Sequence, residues 1–272
     1  MEMTITAAGL AARFGEPGLL LVDVRDAAAY AAGTIPGAAN LNVYDYFIPS
    51  SEPAGVADLT AAAWAGLSAV GAAAARTVVY FEQRTDMISP RGVWFHHYAG
   101  LDGGFVLDGG FDAWVAAGGA TAPGAGLAAA VAPAAAAVPI RSRRALLATV
   151  EDVRQRAPGT VLLDTRRRSE HAGDFVHPCC ARPGRIPGSH FLFWEDFLED
   201  GHYRTPADIA ARARAAGLTP EQPVITYCHR GARAATALYG LQRAGFAAQG
   251  AVFVGSWHEW AERADLPAER GA

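Results

Sequence analysis

The residues best suited to chemistry surround Cys228, one of three cysteines in the chain. An apolar, strand-like run at 224–227 ends at this cysteine, and a Gly-containing loop and an Ala-rich, helix-like stretch follow it. Functional sites in open α/β sheets lie at the carboxyl ends of strands, where loop N–H groups and the positive end of a helix attract anions. This setting favours a thiolate. We therefore expect Cys228 to be a nucleophile rather than the small buried hydrophobe that a free cysteine more often is.

The loop after Cys228 is predicted to bind an anionic reaction partner. It comprises His229, Arg230, Gly231, Ala232, Arg233 and Ala234. The side chains of His229, Arg230 and Arg233 are expected to add positive charge around the sulfur. Four residues separate Cys228 from Arg233, one fewer than in the phosphate-binding loop of cysteine phosphatases. A shorter loop forms a smaller cradle, suited to one extra sulfur atom, so the spacing disfavours a phosphatase.

An internal repeat indicates how the chain positions this loop. Four pairs of segments match in the same order, namely 19–25 with 161–166, 33–38 with 184–189, 77–82 with 223–228, and 107–114 with 253–260. Glu82 and Cys228 are 146 residues apart, and so are Trp114 and Trp260. The sequence therefore contains two copies of one backbone plan, in which Glu82 stands where the second copy has Cys228.

Both copies predict an α/β fold. Short apolar runs alternate with helix-like stretches, which in the second copy include 142–157, 206–217 and 232–245. Strands that alternate with helices indicate parallel pairing in a central sheet flanked by helices. We place the two domains at 1–120 and 141–272, joined by an Ala- and Pro-rich linker at 121–140.

The second copy differs from the first by an insertion of ten residues within 171–184. This segment contains Cys179 and Cys180, which we expect to lie in a surface loop. We expect no metal site, because adjacent cysteines are poor joint ligands for one tetrahedral zinc ion. The alternatives that stay open are transfer of sulfur from Cys228 to this pair or redox regulation by it, and metal binding together with His171 and His177.

The distribution of charge also separates the two copies. All 23 basic residues are arginines, and the five in residues 1–140 stand against 12 acidic residues, which gives a balance of −7. The other 18 arginines stand against 15 acidic residues, a balance of +3. This division excludes a nucleic-acid binder with one uniform basic face, but it allows an anion site in the second half.

Composition argues against several other classes of protein. No apolar run reaches the roughly 18 residues needed to span a membrane, and the first residues lack the basic and apolar regions of a signal peptide. The number of cysteines is odd and their spacing matches no disulfide framework, which indicates a reducing compartment. We therefore expect a cytoplasmic protein that does not bind membranes.

The chain resembles the tandem-domain rhodaneses, a sulfurtransferase family that includes thiosulfate and 3-mercaptopyruvate sulfurtransferases. The resemblance covers nearly the whole chain and rests on Asp-x-Arg at 23–25 and 164–166, the Ile-Pro-Gly turns at 35–37 and 186–188, the loop 228–234 and the closing segment 255–267. It implies two α/β rhodanese domains with central parallel sheets, of which the second is catalytic. The first is expected to be catalytically inactive, because the carboxylate of Glu82 cannot form a persulfide.

The resemblance also implies a mechanism. The thiolate of Cys228 attacks the sulfane sulfur of a small anionic donor and becomes a persulfide, which passes its sulfur to a thiophilic acceptor such as cyanide, a thiol or a thiol-bearing protein. Backbone N–H groups of residues 229–234 would stabilise the persulfide. Arg230 and Arg233 would attract the donor, and Arg182 would reach it from the insertion. No cofactor is expected, since the nucleophile itself holds the transferred atom.

The choice of donor depends on smaller features of the resemblance. Basic residues directly after the cysteine, here His229 and Arg230, are typical of thiosulfate enzymes, whereas mercaptopyruvate enzymes show Cys-Gly-Ser-Gly. Ala232 and Arg233 depart from the Val-Thr that is common in both groups, and Thr34 replaces a histidine implicated in mercaptopyruvate chemistry. We expect a thiosulfate sulfurtransferase. The alternatives are a 3-mercaptopyruvate sulfurtransferase and a persulfide carrier or sensor that does not turn over a donor.

Overall fold

The structure is a computed structural model that describes residues 3–125 and 141–271, and it divides into two compact units. Among the described residues, the first unit comprises 3–46, 60–125, 141–143 and Leu198–Tyr203, and the second comprises Phe47–Leu59, Arg144–Phe197 and 204–271. The domains predicted from the sequence, 1–120 and 141–272, are contiguous. In the structure, residues 47–59 instead belong to the second unit and residues 198–203 to the first. Most of the predicted linker at 121–140, namely 126–140, lies outside the described residues.

The elements alternate between strands and helices along both halves. The strands are β1 (Thr4–Ile5), β2 (Leu19–Asp23), β3 (Ala39–Asn40), β4 (Thr77–Phe81), β5 (Gly104–Leu107), β6 (Leu147–Ala148), β7 (Val161–Asp164), β8 (His190–Phe191), β9 (Leu198–Glu199), β10 (His202–Tyr203), β11 (Val224–Tyr227) and β12 (Gly250–Phe253). The helices are α1 (Ala7–Arg13), α2 (Ala27–Ala32), α3 (Pro53–Ala69), α4 (Ile88–Tyr98), α5 (Gly110–Ala116), α6 (Val150–Arg154), α7 (Arg168–Ala172), α8 (Pro206–Ala215), α9 (Ala232–Arg243) and α10 (Ser256–Glu262).

Each unit is built on a parallel sheet of the same strand order. In the first unit the order is β1-β5-β4-β2-β3, and in the second it is β6-β12-β11-β7-β8. Every neighbouring pair in both sheets is parallel. The central strands β4 and β11 are buried along their whole length, as is typical of parallel sheets covered by helices on both faces. The predicted fold class, two α/β domains with central parallel sheets, is confirmed.

The repeat extends to the hydrogen bonds at the strand ends. In both units the arginine of Asp-x-Arg donates through Nε to Oδ1 at 3.0 Å and through Nη2 to Oδ2 at 2.6 Å, once between Arg25 and Asp23 and once between Arg166 and Asp164. The same Nη2 also donates to the carbonyl that precedes the Ile-Pro-Gly turn, at Gly33 or Gly184. The buried arginine therefore fixes the turn against the end of the strand.

One helical stretch predicted from the sequence is wrong. Residues 142–157 form a short 3-10 helix at Arg144–Leu146, strand β6 and helix α6. Strand β6 is buried and pairs with β12, and Thr149 then begins α6 with a capping box to Asp152. Burial at the edge of the sheet overrides the helix propensity of this Ala- and Arg-rich stretch.

The other two predicted helices agree closely with the structure. Helices α8 and α9 end just before Gly217 and Gly245, whose φ angles are +85° and +80°. Glycine commonly ends a helix in this left-handed conformation. Among the described residues, no helix is long and apolar enough to cross a membrane.

Candidate active site

Cys228 follows directly after β11 and is only 1% exposed. Its Sγ accepts the N–H of Gly231 at 3.0 Å, so the loop wraps back onto the sulfur. Gly231 begins helix α9 with a φ of +88°, a conformation that residues with a Cβ seldom adopt. The structure thus places a thiol inside a turn of backbone, at the positive end of a helix and at the carboxyl end of a central strand.

The start of helix α10 holds the other side of the loop. The backbone N–H groups of Trp257 and His258 donate to the carbonyls of Cys228 and His229 at 3.0 and 3.1 Å. Ser256 Oγ accepts the N–H of Cys228 at 3.2 Å and donates to the carbonyl of Phe253 at 2.7 Å. These contacts fix the backbone on both sides of the sulfur.

Ser256 is a site residue that the sequence analysis did not identify. It is completely buried and has a φ of +54°, although it is not a glycine. A left-handed conformation at such a residue costs about 1–3 kcal/mol and is frequent at functional sites. The signal lies in the repeat, because Ser256 is 146 residues after Gly110, which has a similar φ of +61°.

Arg233 is paired with an acidic residue that the sequence analysis also missed. Its guanidinium donates to both carboxylate oxygens of Glu170, at 2.8 and 3.2 Å, and Glu170 is 4% exposed. Burial lowers the pKa of Arg233, but negative charge at Cys228 and the contact with Glu170 outweigh this effect and raise it overall. Arg233 is therefore charged, and Glu170 balances part of its charge.

Arg230 lies between an aromatic ring and a second cysteine. Its Cζ is 4.3 Å from the centre of the Phe47 ring, a cation–π arrangement, and its Nη2 donates to Cys179 Sγ at 3.2 Å. Phe47 and the insertion around Cys179 therefore determine where this positive charge lies. Neither contact could be read from the local pattern around Cys228.

His229 differs from its predicted role as a positive charge. Burial and the nearby His177, Arg230, Arg233 and His258 lower its pKa to about 3, so that the ring is neutral near pH 7. Its Nε2 lies 3.3 Å from Cys179 Sγ, and its ring centre lies 4.1 Å from that of His177. The ring therefore acts as a neutral hydrogen-bonding group, and the prediction that it adds positive charge is wrong.

Comparison with known families agrees with this geometry. The sequence profile of the Rhodanese-like domain matches the chain twice, at residues 6–117 and 149–263. The chain belongs to the rhodanese family. Each matched segment contains four of the five strands of one parallel sheet, and the edge strands β1 and β6 lie just before the two matches. The rhodanese repeat therefore coincides with the structural repeat.

Individual rhodaneses are similar to this chain over almost its whole length. The thiosulfate sulfurtransferase of Pseudomonas aeruginosa is 28% identical and covers 99% of this chain and 97% of its own. A probable 3-mercaptopyruvate sulfurtransferase of the same species is 30% identical and covers 94% of each. The crystal structure of a probable thiosulfate sulfurtransferase is 30% identical, with a TM-score of 0.73 over 93% of this chain and 98% of that one. The chain is thus a member of a sulfurtransferase family whose substrates are small sulfur donors and acceptors.

Glu82 occupies the position of Cys228 in the first rhodanese domain. Its Oε1 accepts the N–H groups of Asp86 and Ile88 at 3.1 Å, and both the N–H and the hydroxyl of Ser89 at 2.8 Å. Burial raises the pKa of Glu82 to about 7, although the hydrogen bonds from Ser89 and Asp86 act in the opposite direction. A side chain of the protein itself therefore fills the anion cradle in this domain.

Arg182 lies at the end of helix α10. Its Nη2 donates to the carbonyls of Trp260, Arg263 and Leu266 at 3.1, 2.9 and 2.7 Å. Carbonyls at the end of a helix have no partner within the helix, so Arg182 stabilises this terminus. This location differs from the predicted contact with the donor, and we leave Arg182 out of the proposed donor site.

The vicinal cysteines differ from each other. Cys180 packs against the hydrophobic core of the second domain, and burial together with Cys179 raises its pKa to about 12. Cys179 instead points to His177, His229 and Arg230. His171, which was considered as a partner for these cysteines, has its Nδ1 3.0 Å from Asp164 Oδ2. The insertion is an exposed loop at 174–178, as expected, and it also brings Cys179 to the loop of Cys228.

Proposed function

We propose that this rhodanese is a thiosulfate sulfurtransferase with Cys228 as its nucleophile. The observation that carries the proposal is the contact between Cys228 Sγ and the Gly231 N–H at the start of helix α9, since it shows a loop that wraps around one sulfur atom. The Cys228 thiolate attacks the outer sulfur of thiosulfate. The S–S bond of the donor breaks, sulfite leaves with the electron pair, and Cys228 becomes a persulfide.

The loop supports the persulfide that this step forms. The transferred sulfur adds a second sulfur atom beyond Sγ and bears the negative charge. The N–H groups of residues 229–234 and the positive end of α9 stabilise such a charge without reorganising. Trp257, His258 and Ser256 hold the backbone at Cys228 and His229. The N–H groups of the loop are therefore already in place before thiosulfate binds.

The second step returns the enzyme to its starting state. A thiophilic acceptor such as cyanide attacks the outer sulfur of the persulfide. The bond between that sulfur and Cys228 Sγ breaks, and Cys228 leaves as a thiolate. Thiocyanate is the product when the acceptor is cyanide. A small thiol or a thiol-bearing protein would accept the sulfur in the same way, and the reaction needs no cofactor because Cys228 holds the transferred atom.

The charges around Cys228 also favour a second candidate donor, 3-mercaptopyruvate. Arg230 supplies positive charge suited to the thiosulfate dianion, but Glu170 balances part of the charge of Arg233 and His229 is neutral. A loop with a smaller net charge suits a donor with a single negative charge. The same two classes of enzyme appear among the relatives described above.

The test is a steady-state assay of the purified full-length chain with thiosulfate and cyanide, and in parallel with 3-mercaptopyruvate. We expect thiocyanate to form from thiosulfate, and Cys228→Ser to abolish it. Cys180→Ser is the matched control, because Cys180 is a half-buried cysteine of the same domain that packs against the hydrophobic core, and its replacement should leave the rate unchanged. Activity that survives Cys228→Ser would exclude Cys228 as the nucleophile. Absence of turnover with both donors would favour the carrier or sensor alternative.

The choice of donor is tested by Arg230→Ala. We expect KM for thiosulfate to rise by about ten- to a hundredfold, since a hydrogen bond to a charged group contributes roughly 1.5–3 kcal/mol. KM for 3-mercaptopyruvate, which has less charge, should rise by a smaller factor. Equal factors for the two donors would remove the reason to prefer thiosulfate.

A further inference from the structure

The insertion of the second unit and the loop of Cys228 together form a cluster of metal-binding side chains. His177 Nδ1 and His229 Nε2 each lie 3.3 Å from Cys179 Sγ. All three ligand atoms lie within 4.8 Å of one another. We propose that His177, Cys179 and His229 bind a Zn²⁺ ion or another cation that prefers imidazole and thiolate ligands.

The distances agree with a shared ion. Zinc binds thiolate sulfur at about 2.3 Å and imidazole nitrogen at about 2.0–2.1 Å, so that a tetrahedral site separates the sulfur and a nitrogen by roughly 3.5 Å. Both sulfur–nitrogen distances at Cys179 are 3.3 Å. His177 is exposed, which leaves its imidazole room to adjust to a shared ion.

A positive charge lies directly beside the sulfur of the cluster. Arg230 Nη2 donates to Cys179 Sγ at 3.2 Å, and the guanidinium is held over the Phe47 ring. A hydrogen-bond donor that touches a ligand but not the ion stabilises the charge of a metal-bound thiolate and orients it. Three protein ligands leave a fourth position open to water, which is the arrangement of zinc sites that exchange ligands.

This site differs from the one considered in the sequence analysis. The ligands are one cysteine of the vicinal pair, one histidine of the insertion and the histidine after Cys228, whereas Cys180 and His171 have other partners. The objection that adjacent cysteines cannot share one tetrahedral ion therefore does not apply. The proposal departs from the expectation of no metal site, because the fold brings His229 to Cys179 across 50 residues of chain.

The test is a titration of the metal-free full-length protein with Co²⁺, which substitutes for Zn²⁺ and gives a charge-transfer absorption band when a thiolate binds it. We expect a band that saturates at one ion per chain and disappears when Zn²⁺ is added. Cys179→Ser should abolish the band. His177→Ala should weaken Co²⁺ binding by at least about tenfold, because even the loss of a residue that only hydrogen-bonds a ligand lowers metal affinity by 10–100-fold.

Two variants serve as controls and separate this site from the proposed function. Cys180→Ser and Cys228→Ser should both keep the band, although Cys228→Ser is expected to lose sulfur transfer. A band that persists in Cys179→Ser, or that is lost in Cys228→Ser, would place the ion elsewhere and overturn the proposal. The absence of saturable binding to the unaltered protein would also overturn it. Circular dichroism of each variant excludes loss of fold as the cause.

Discussion

The loops at Glu82 and Cys228 share one backbone arrangement, but the first surrounds a carboxyl group and the second a thiol. In both, the residue at the end of the central strand has its carbonyl bonded to the N–H of an aromatic residue, Phe111 in one domain and Trp257 in the other. The next carbonyl is bonded to the following N–H, that of Asp112 or His258. The scaffold is therefore the same.

The two loops differ in which side chain accepts the hydrogen bonds of their N–H groups. In the first domain the carboxyl group of Glu82 accepts hydrogen bonds from three N–H groups and a hydroxyl, so a side chain of the domain itself occupies the anion-binding position. In the second, Cys228 Sγ accepts the N–H of Gly231, and the loop is shorter. The comparison teaches that the same loop can be occupied by a side chain of its own domain in one copy and hold a thiol in the other.

The largest expected effect comes from moving the cysteine between the domains. Cys228→Ser should lower kcat/KM by about 1000-fold or more, because the nucleophile is lost. Adding Glu82→Cys to that variant should not restore activity, since helix α4 starts six residues after Glu82, whereas helix α9 starts four residues after Cys228. The measurement is thiocyanate formation by the double variant. Recovery of activity would show that the identity of one residue, and not the loop, distinguishes the domains.

A smaller effect is expected from the Asp–Arg ion pair that occurs once in each domain. Arg166→Met leaves the buried Asp164 without its cation and should lower the free energy of unfolding by about 3–5 kcal/mol. Arg25→Met should cost less, because the side chain of Arg25 is 9% exposed and that of Arg166 is 2% exposed. Urea denaturation followed by circular dichroism measures both. As a control, Arg154→Met removes an exposed pair and should change stability by no more than about 1 kcal/mol. Equal losses at Arg25 and Arg166 would contradict the ranking by burial.

The smallest effect concerns the pH dependence that Glu82 confers on the first domain. Because its pKa is raised from 4.5 to about 7, the folded state holds a proton that the unfolded state releases. The stability linked to this proton is fully present below pH 4.5 and is lost as pH rises through about 7. Glu82→Gln keeps an accepting oxygen without the charge. The free energy of unfolding of the variant, relative to that of the unaltered protein, should therefore increase by roughly 3 kcal/mol between pH 5 and pH 8.

The pH dependence is measured as the free energy of unfolding of both proteins at several pH values. The exposed Glu221→Gln is the matched control and should show a difference independent of pH. A constant difference for Glu82→Gln as well would mean that the carboxyl group is ionised throughout, and that the N–H groups outweigh its burial.

The sequence alone predicted the duplication, the parallel sheets and the position of the Cys228 loop, because these depend on local patterns. Apolar runs, glycines at helix ends and a constant offset of 146 residues are all visible in one dimension. The hydrogen bonds donated by Phe111 and Trp257 in the structure follow the same offset of 146 residues. The stretch 142–157 was misassigned because pairing with β12, a distant strand, decides the structure of Leu147 and Ala148.

Only the tertiary structure decided the electrostatics of the site. Glu170 lies 63 residues from Arg233, and Phe47 comes from the first half of the chain, yet they determine the surroundings of both predicted anion-binding arginines. Burial makes His229 neutral, and the insertion brings Cys179 to it. The sequence determined which residues the loop contains, since strand, turn and helix are local. Their charges and partners depend on burial and on long-range contacts, which have no signal in local spacing.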